Sequence, residues 1–205
     1  MSPFKTHYAY DRSIGPLDYS RRHWREVRVA RKALNIQEVQ YAAYWEEFSR
    51  LYDNLIEAHH ISGAAAFSSS FFQALTKVQG IRAVAAHLAG RIVSMMLFVE
   101  FDRRAYSFLA GTTDDGRANS AHYGLYAEAL ENLSDYSLVN LGGAPGMSDD
   151  PGHGIAFAKR RLTNTTSQSY LCGMILDDAA YSALLPPPNR TPDYFPAYRG
   201  LGART

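Results

Sequence analysis

Three strand-like runs follow one another with almost nothing between them: Ile81 to Leu88, Arg91 to Phe101 and Ala105 to Gly111, separated by Ala89-Gly90 and Asp102-Arg103. Links this short cannot contain a crossover helix, so the three runs are committed to an antiparallel meander. Whatever else the chain does must be built around that sheet. Upstream, Met1 to Leu17 is aromatic and broken by Gly15-Pro16, which reads as an extended arm or an edge strand. Asp18 or Ser20 is placed to cap a helix running to about Leu34, with Trp24, Val27 and Leu34 as its apolar side. Ile36 to Val39 reads as a short strand. Ala42 to His60 carries a helical stripe of Tyr44, Phe48, Leu51, Tyr52 and Leu55. Ser68 to Ser70 caps a further helix through Val78.

Downstream of the meander the elements alternate. A polar loop, DDGRANSA, precedes a helix over Ser120 to Leu133. Ser137 to Leu141 is a buried strand, Ile155 to Arg161 a short helix, Ser167 to Ile175 the last core strand, and Asp178 to Leu185 helical. Pro186-Pro187-Pro188 opens an extended tail whose Tyr194, Phe195 and Tyr198 are expected to pack back on the body. The expected organisation is therefore an arm and basic helix over 1–35, a domain over 36–185 and a tail over 186–205, with helices alternating with an antiparallel-rich sheet.

Composition sets bounds. A chain of 205 residues suits one domain with arms, and a net charge of +1 argues against a generally basic nucleic-acid coat while leaving a local patch open. Cys172 is the sole cysteine, so no intrachain disulfide forms, and a reducing, cytoplasmic setting is expected. No apolar run approaches the ~20 residues that span a bilayer. The opening MSPFKTHYAYDRS has no apolar signal core. The sequence contains no HExxH, CxxC pair, GxSxG or Walker loop, which argues against zinc hydrolases, serine hydrolases and P-loop ATPases, and no metal site is expected.

The pieces SFLAGTTDDGRANSAHYGLYAEAL, LVNLGG and GHGIAFAKRRL occur in an order that resembles the C-terminal part of the Fem-like branch of the GNAT N-acyltransferases. FKTHYAYD with SRRHWREVRVARKAL and the ending DYFPAYR are similar to the same family, so the resemblance covers most of the chain. It departs in one place: the Phe expected directly before the lysine is Ala158, with Phe157 one position earlier. The chain also begins where two-half Fem ligases are midway through. Either it is a single-half relative, or a homo-oligomer or a further N-terminal half completes it.

The resemblance implies a GNAT-like α/β fold, a mixed, mostly antiparallel central sheet flanked by helices, with Ala105 to Gly111 and Ser137 to Leu141 splaying to form the donor cleft. It implies an N-acyltransferase that forms an amide. The expected donor is aminoacyl-tRNA, with acyl-CoA as alternative and no tightly bound cofactor. The acceptor is an amine-bearing peptide, peptidoglycan precursor or peptide natural product. A degenerate GNAT-like binding module is the reading from outside the enzyme class. Lys159 is the implied oxyanion stabiliser, set against a surface lysine beside Arg160 and Arg161.

Other candidates come from the residues themselves. The turn Arg117-Ala118-Asn119-Ser120 stands where acyl-CoA enzymes have a glycine-rich pyrophosphate loop, but it lacks the glycines, and Asp114 and Asp115 add negative charge. Gly142 and Gly143 end a strand and permit close approach of a ligand or simply a sharp turn. His122 opens a helix and is a candidate proton relay or a structural histidine. Asp150, with Asp149 and His153, is a candidate proton acceptor or an ordinary turn residue. Arg21, Arg25, Arg28 and Lys32 lie along one helix face, for an RNA backbone or for solvent.

Overall fold

The computed structural model describes residues 2–17, 19–133, 135–144, 150, 152, 154–185 and 195–199. In chain order the elements are β1 (Ser2–Asp11), α1 (Arg21–Ala33), β2 (Asn35–Val39), α2 (Tyr41–His59), α3 (Ser69–Leu75), β3 (Ile81–Leu88), β4 (Arg91–Phe101), β5 (Arg104–Thr112), α4 (Asp114–Ala118), α5 (Ala121–Asn132), β6 (Leu138–Asn140), α6 (Gly154–Arg160), β7 (Thr165–Leu171) and α7 (Asp178–Leu184). The strands form one sheet in the order β2-β3-β4-β5-β6-β1-β7. The pairs β2/β3, β3/β4, β4/β5 and β1/β6 are antiparallel, while β5 and β6 are parallel. This is the expected mixed, mostly antiparallel sheet flanked by helices.

The meander closes through two-residue turns in which both residues are left-handed, Ala89 and Gly90 at φ 49 and 80, and Asp102 and Arg103 at φ 48 and 55. That geometry carries the right-handed strand twist through the turn. Leu97 pairs with Leu109 and Phe98 with Ser107, so Phe108 is an extra residue in β5. The bulge reverses the side-chain alternation along the strand. Ala105 and Ser107 lie on one face of the sheet, and Leu109 and Gly111 on the other.

Helices α1 and α5 cover the first face. Val27, Ala30 and Leu34 of α1 are buried, with Leu125 and Ala129 of α5 and Met96 and Phe98 of the sheet. The helices approach closely because Gly124 has no side chain: a Cβ there would stand 2.8 Å from that of Ala30. Ser20 caps α1 by accepting the His23 N–H, and Arg31 and Lys32 in its last turn oppose the negative end of the helix dipole. The second face is covered by α2 and α3, whose Phe48, Tyr52 and Phe72 pack on Ala83, Met95 and Leu97. The buried Tyr41 hydroxyl donates to the Phe72 carbonyl at 2.9 Å.

Several local expectations are corrected. β1 is interior to the sheet, between β6 and β1's other neighbour β7, and so is neither a loose arm nor an edge. The last strand is instead the outermost in the order, and most of its residues are exposed. On α1 the buried stripe is His23, Val27 and Ala30, while Trp24 is 40% exposed. Counting back from Leu34 in helical steps lands on residue 23, and the aromatic bulk of Trp24 does not override that period. The polar loop after β5 is partly helical, since Thr113 caps α4 by accepting the Gly116 N–H.

By compactness the chain divides into Thr6–Ser167 and a second unit of Met1–Lys5 with Gln168–Thr205. In the second unit Asp177 caps α7, and the Tyr181 ring lies 6.1 Å from Phe195 and 5.8 Å from Tyr198. The Lys5 N–H donates to Ser169 Oγ at 3.2 Å, and that hydroxyl donates back to the Lys5 carbonyl at 2.8 Å. Tyr194 and the rest of 186–194 lie outside the described residues. No helix of the described residues is long and apolar enough to cross a membrane.

Candidate active site

The strand β6 pairs with β5 through only three residues, Leu138, Val139 and Asn140 against Arg104, Ala105 and Tyr106. From Ser107 onward β5 continues without β6 beside it. The opening is filled by a cavity of about 550 Å³ within the unit Thr6–Ser167. Its floor is β5 from Ser107 to Thr112. Leu55 and His59 of α2 form one wall, His122 and Tyr126 of α5 a second, and Ile155 and Lys159 of α6 a third. A cavity of this size, mostly apolar with a few polar groups, suits a ligand of moderate size.

The polar groups are fixed by backbone. Asn140, 8% exposed, accepts the Gly142 N–H on Oδ1 at 2.7 Å and so folds the chain sharply at the end of β6. Gly142 takes φ +73, a left-handed conformation that a side chain would strain. The turn presents the Gly143 carbonyl to Lys159 Nζ, which donates to it at 2.9 Å. The structure therefore brings Lys159, Gly142 and Gly143 together at the mouth of the opening. This anchor fixes the position of the ammonium.

His122 reaches solvent yet stands in a concave wall, and the surrounding protein lowers its pKa; Glu26 partly offsets this. Tyr126, one helical turn on, is hydrogen-bonded to Ser107, and burial raises its pKa, so the phenol keeps its proton. Two charged states are thus disfavoured side by side: an imidazolium and a phenolate.

The other sequence candidates are engaged elsewhere. Arg117 lines the cavity, but its guanidinium donates to the Thr112 carbonyl and pairs with Asp114. Asn119 donates to the Asp115 carbonyl at 2.9 Å, and the Ser120 hydroxyl to Glu26 at 2.7 Å. These side chains hold the α4–α5 junction together. Asp150 is exposed and accepts the Gly152 N–H at 2.8 Å. Asp149 and His153 lie outside the described residues. Arg21, Arg25 and Arg28 are exposed, and Arg25 pairs with Glu26 at 3.1 Å.

Sequence reasoning did not single out Tyr126, Ser107 or His23. The signal for Tyr126 was its place four residues after His122, which puts both on one helix face. His23 is 3% exposed, stacked on Tyr19 at 4.6 Å and edge-on to Tyr123 at 4.9 Å. Its pKa is lowered by burial first, then by His122 and Arg161, with Glu26 opposing. Both histidines protonate less readily folded than at the ordinary value of 6.5, so the unfolded chain takes up protons first. Their stabilising contribution is complete above that value and is lost as pH falls below it. We expect the melting temperature to drop between about pH 7.5 and 5.5. The double variant His23→Phe/His122→Gln should flatten that slope in calorimetry, and a wild-type curve flat over this window would contradict the lowered pKa of both rings.

No protein-family model and no curated protein matches the chain. Solved structures do. FemX aligns at TM-score 0.63 and 11% identity over 80% of this chain and 59% of FemX. The C-terminal domain of a putative lysylphosphatidylglycerol synthetase from Agrobacterium fabrum aligns at 0.60 and 16% identity, over 80% of this chain and 58% of that one. A ribosomal-protein-alanine N-acetyltransferase from Brucella melitensis aligns at 0.53 and 12% identity over 70% of this chain and 99% of its own length. The chain thus spans a little under three-fifths of the two larger neighbours and the whole of the smaller one. The mixed sheet, its opening beyond a short parallel pair, and these alignments together show that the chain has the fold seen in FemX and in that acetyltransferase.

Proposed function

We propose that the chain is an N-acyltransferase that moves an aminoacyl group from aminoacyl-tRNA to the amine of a peptide-like acceptor. The observation that carries this reading is the Lys159 ammonium, anchored on the Gly143 carbonyl at 2.9 Å where β5 and β6 part. An ester carbonyl lying along β5 meets that ammonium as its oxygen becomes negative. The acceptor nitrogen attacks the carbonyl carbon, forming a C–N bond and a tetrahedral oxyanion that Lys159 stabilises. The C–O bond to the ribose then breaks. One proton leaves the nitrogen and one is gained by the ribose oxygen, so the step is neutral overall.

His122, held neutral by its surroundings, is suited to accept the proton from nitrogen. Tyr126, held protonated, is suited to give one to the leaving oxygen. Because the ester is already activated, positioning supplies much of the remaining rate. Acyl-CoA is the second donor. It is favoured by the coverage of an entire single-domain acetyltransferase, whereas α4, with Asp114 and Asp115 in its first turn, is poorly suited to a pyrophosphate.

Turnover with labelled aminoacyl-tRNA against acetyl-CoA, each with an amine-bearing peptide, separates the donors. We expect aminoacyl transfer whose rate falls on acidification through a pKa below the ordinary histidine value. His122→Gln should lower the rate ~10²-fold and remove that acid limb. Transfer from acetyl-CoA alone would replace the donor, and no transfer from either would favour a binding module.

A further inference from the structure

Beside the cavity along β5 lies a second one of about 310 Å³, bounded by Arg22 and His23 of α1, His122 and Tyr123 of α5, and Phe157 and Arg161 at α6. Among the described residues its lining holds no carboxylate. His122, Gly154 and Ala158 line both cavities, so they share a wall.

Some of the cations on the surrounding helices are neutralised within the chain. Arg25 has Glu26, Arg31 has Glu128 and Glu131, and Arg117 has Asp114. Arg22 and Arg161 have no acidic partner among the described residues. Arg161 is oriented rather than loose, its guanidinium 4.2 Å from the centre of the Phe157 ring. His23, almost wholly buried behind them, has an Nε2 with no hydrogen-bond partner among the described residues. Glu26, the nearest acid, already accepts from Ser120 and Arg25. Two cations without an acidic partner among the described residues, one of them held over an aromatic ring, create around this concave space a positive field that an anion relieves, and the planar guanidinium fork matches phosphate oxygens.

We propose that this cavity is a phosphate subsite in which Arg22 and Arg161 hold a phosphodiester or pyrophosphate group of the acyl donor. The donor then crosses the shared wall of His122 and Ala158 and delivers its acyl carbonyl to Lys159. Assigning the phosphate to the donor rests on the acyl-transfer reading; the anion site itself does not. Arg22 is one residue away from the exposed stripe of Arg21, Arg25 and Arg28, which contributes only diffuse attraction.

The test is direct binding, independent of turnover. Inorganic pyrophosphate is titrated into the wild type, Arg22→Ala/Arg161→Ala, Arg161→Lys and Arg21→Ala/Arg25→Ala/Arg28→Ala, with histidine ring resonances followed by NMR. Expected is binding that shifts the His23 and His122 signals, falls ~10- to 100-fold in the first variant, falls by less in Arg161→Lys, which keeps the charge but loses the fork, and is largely kept in the triple variant. Unchanged pyrophosphate affinity in the first variant, or histidine signals that do not move, overturns the site. The titration is repeated with coenzyme A and with deacylated tRNA at fixed salt. Selective loss of one in the double variant names the source of the phosphate, and loss of neither removes the donor from this cavity. Pyrophosphate binding without acyl transfer from any donor leaves the site standing and sinks the proposed function. In Arg22→Ala/Arg161→Ala, transfer that is lost while pyrophosphate affinity stays at the wild-type value sinks the site and leaves the proposed function standing. All the replaced arginines are exposed, so circular dichroism should show every variant folded.

Discussion

Replacing Lys159 by Met should cut kcat roughly 10²- to 10³-fold while leaving donor binding near its wild-type value, the range seen when one oxyanion donor is removed. Methionine keeps the unbranched stem that lines the cavity wall and deletes only the charge and its donors. The Gly143 carbonyl loses its partner, but it stands at the cavity mouth where water can replace the bond, so a modest loss of stability is expected. Lys159→Arg should not rescue: the guanidinium is larger and planar and does not reproduce the compact ammonium anchored on the Gly143 carbonyl. The measurement is single-turnover transfer alongside donor affinity. An equal loss in affinity with kcat unchanged would mean Lys159 binds the ground state, and the oxyanion role would fall.

Gly111→Val should be among the most damaging single substitutions for folding. At this point α2 crosses β5 so closely that a Cβ would sit 2.7 Å from the Leu51 Cβ, 3.0 Å from its carbonyl carbon and 3.2 Å from its oxygen. Two of those three atoms are backbone, so no rotamer change relieves the clash, and α2 must move as a body. Overpacking of this kind costs about 1–3 kcal/mol and more when backbone has to shift. The Ser94 hydroxyl also donates to the Gly111 carbonyl at 3.1 Å, and a displaced strand loses that buried bond. Denaturant unfolding should show a lower midpoint with an unchanged slope. Gly90→Ala, with nothing within 4 Å of its Cβ position, provides the comparison in which only backbone strain at φ +80 is felt. If the two variants were equally stable, the close approach of α2 would not be a real constraint.

These two sites also mark what the sequence could and could not reveal. The meander was legible because two-residue links leave no other topology, and α2 because its apolar stripe from Tyr44 to Leu55 runs through about three helical turns. Lys159 and Gly143 were legible as separate motifs, yet their hydrogen bond joins residues 16 apart through a turn that Asn140 shapes, and no local pattern encodes that. β1 was misplaced for a similar reason. Its neighbours β6 and β7 come more than 120 residues later, and an aromatic N-terminal run looks the same at an edge as in the interior. His23 was hidden by its neighbour: Trp24 is the more apolar residue, but helical geometry, not hydrophobicity, decides which of two adjacent positions faces inward. Arg22 and Arg161 form one cluster only after α1 and α6 are brought to the same end of α5.

The extra residue in β5 has a consequence for how chains of this design can diverge. Because Phe108 reverses the alternation, everything from Leu109 to Thr112 depends on an odd count of residues upstream, whatever those residues are. Substitutions along the strand leave this count alone and can retune the cavity floor one position at a time. Deleting a single residue there would turn Gly111 away from α2 and aim a side chain at Leu51, failing at once in packing and in the cavity. Relatives with working cavities should therefore differ freely in the letters of this strand and hardly ever in its length.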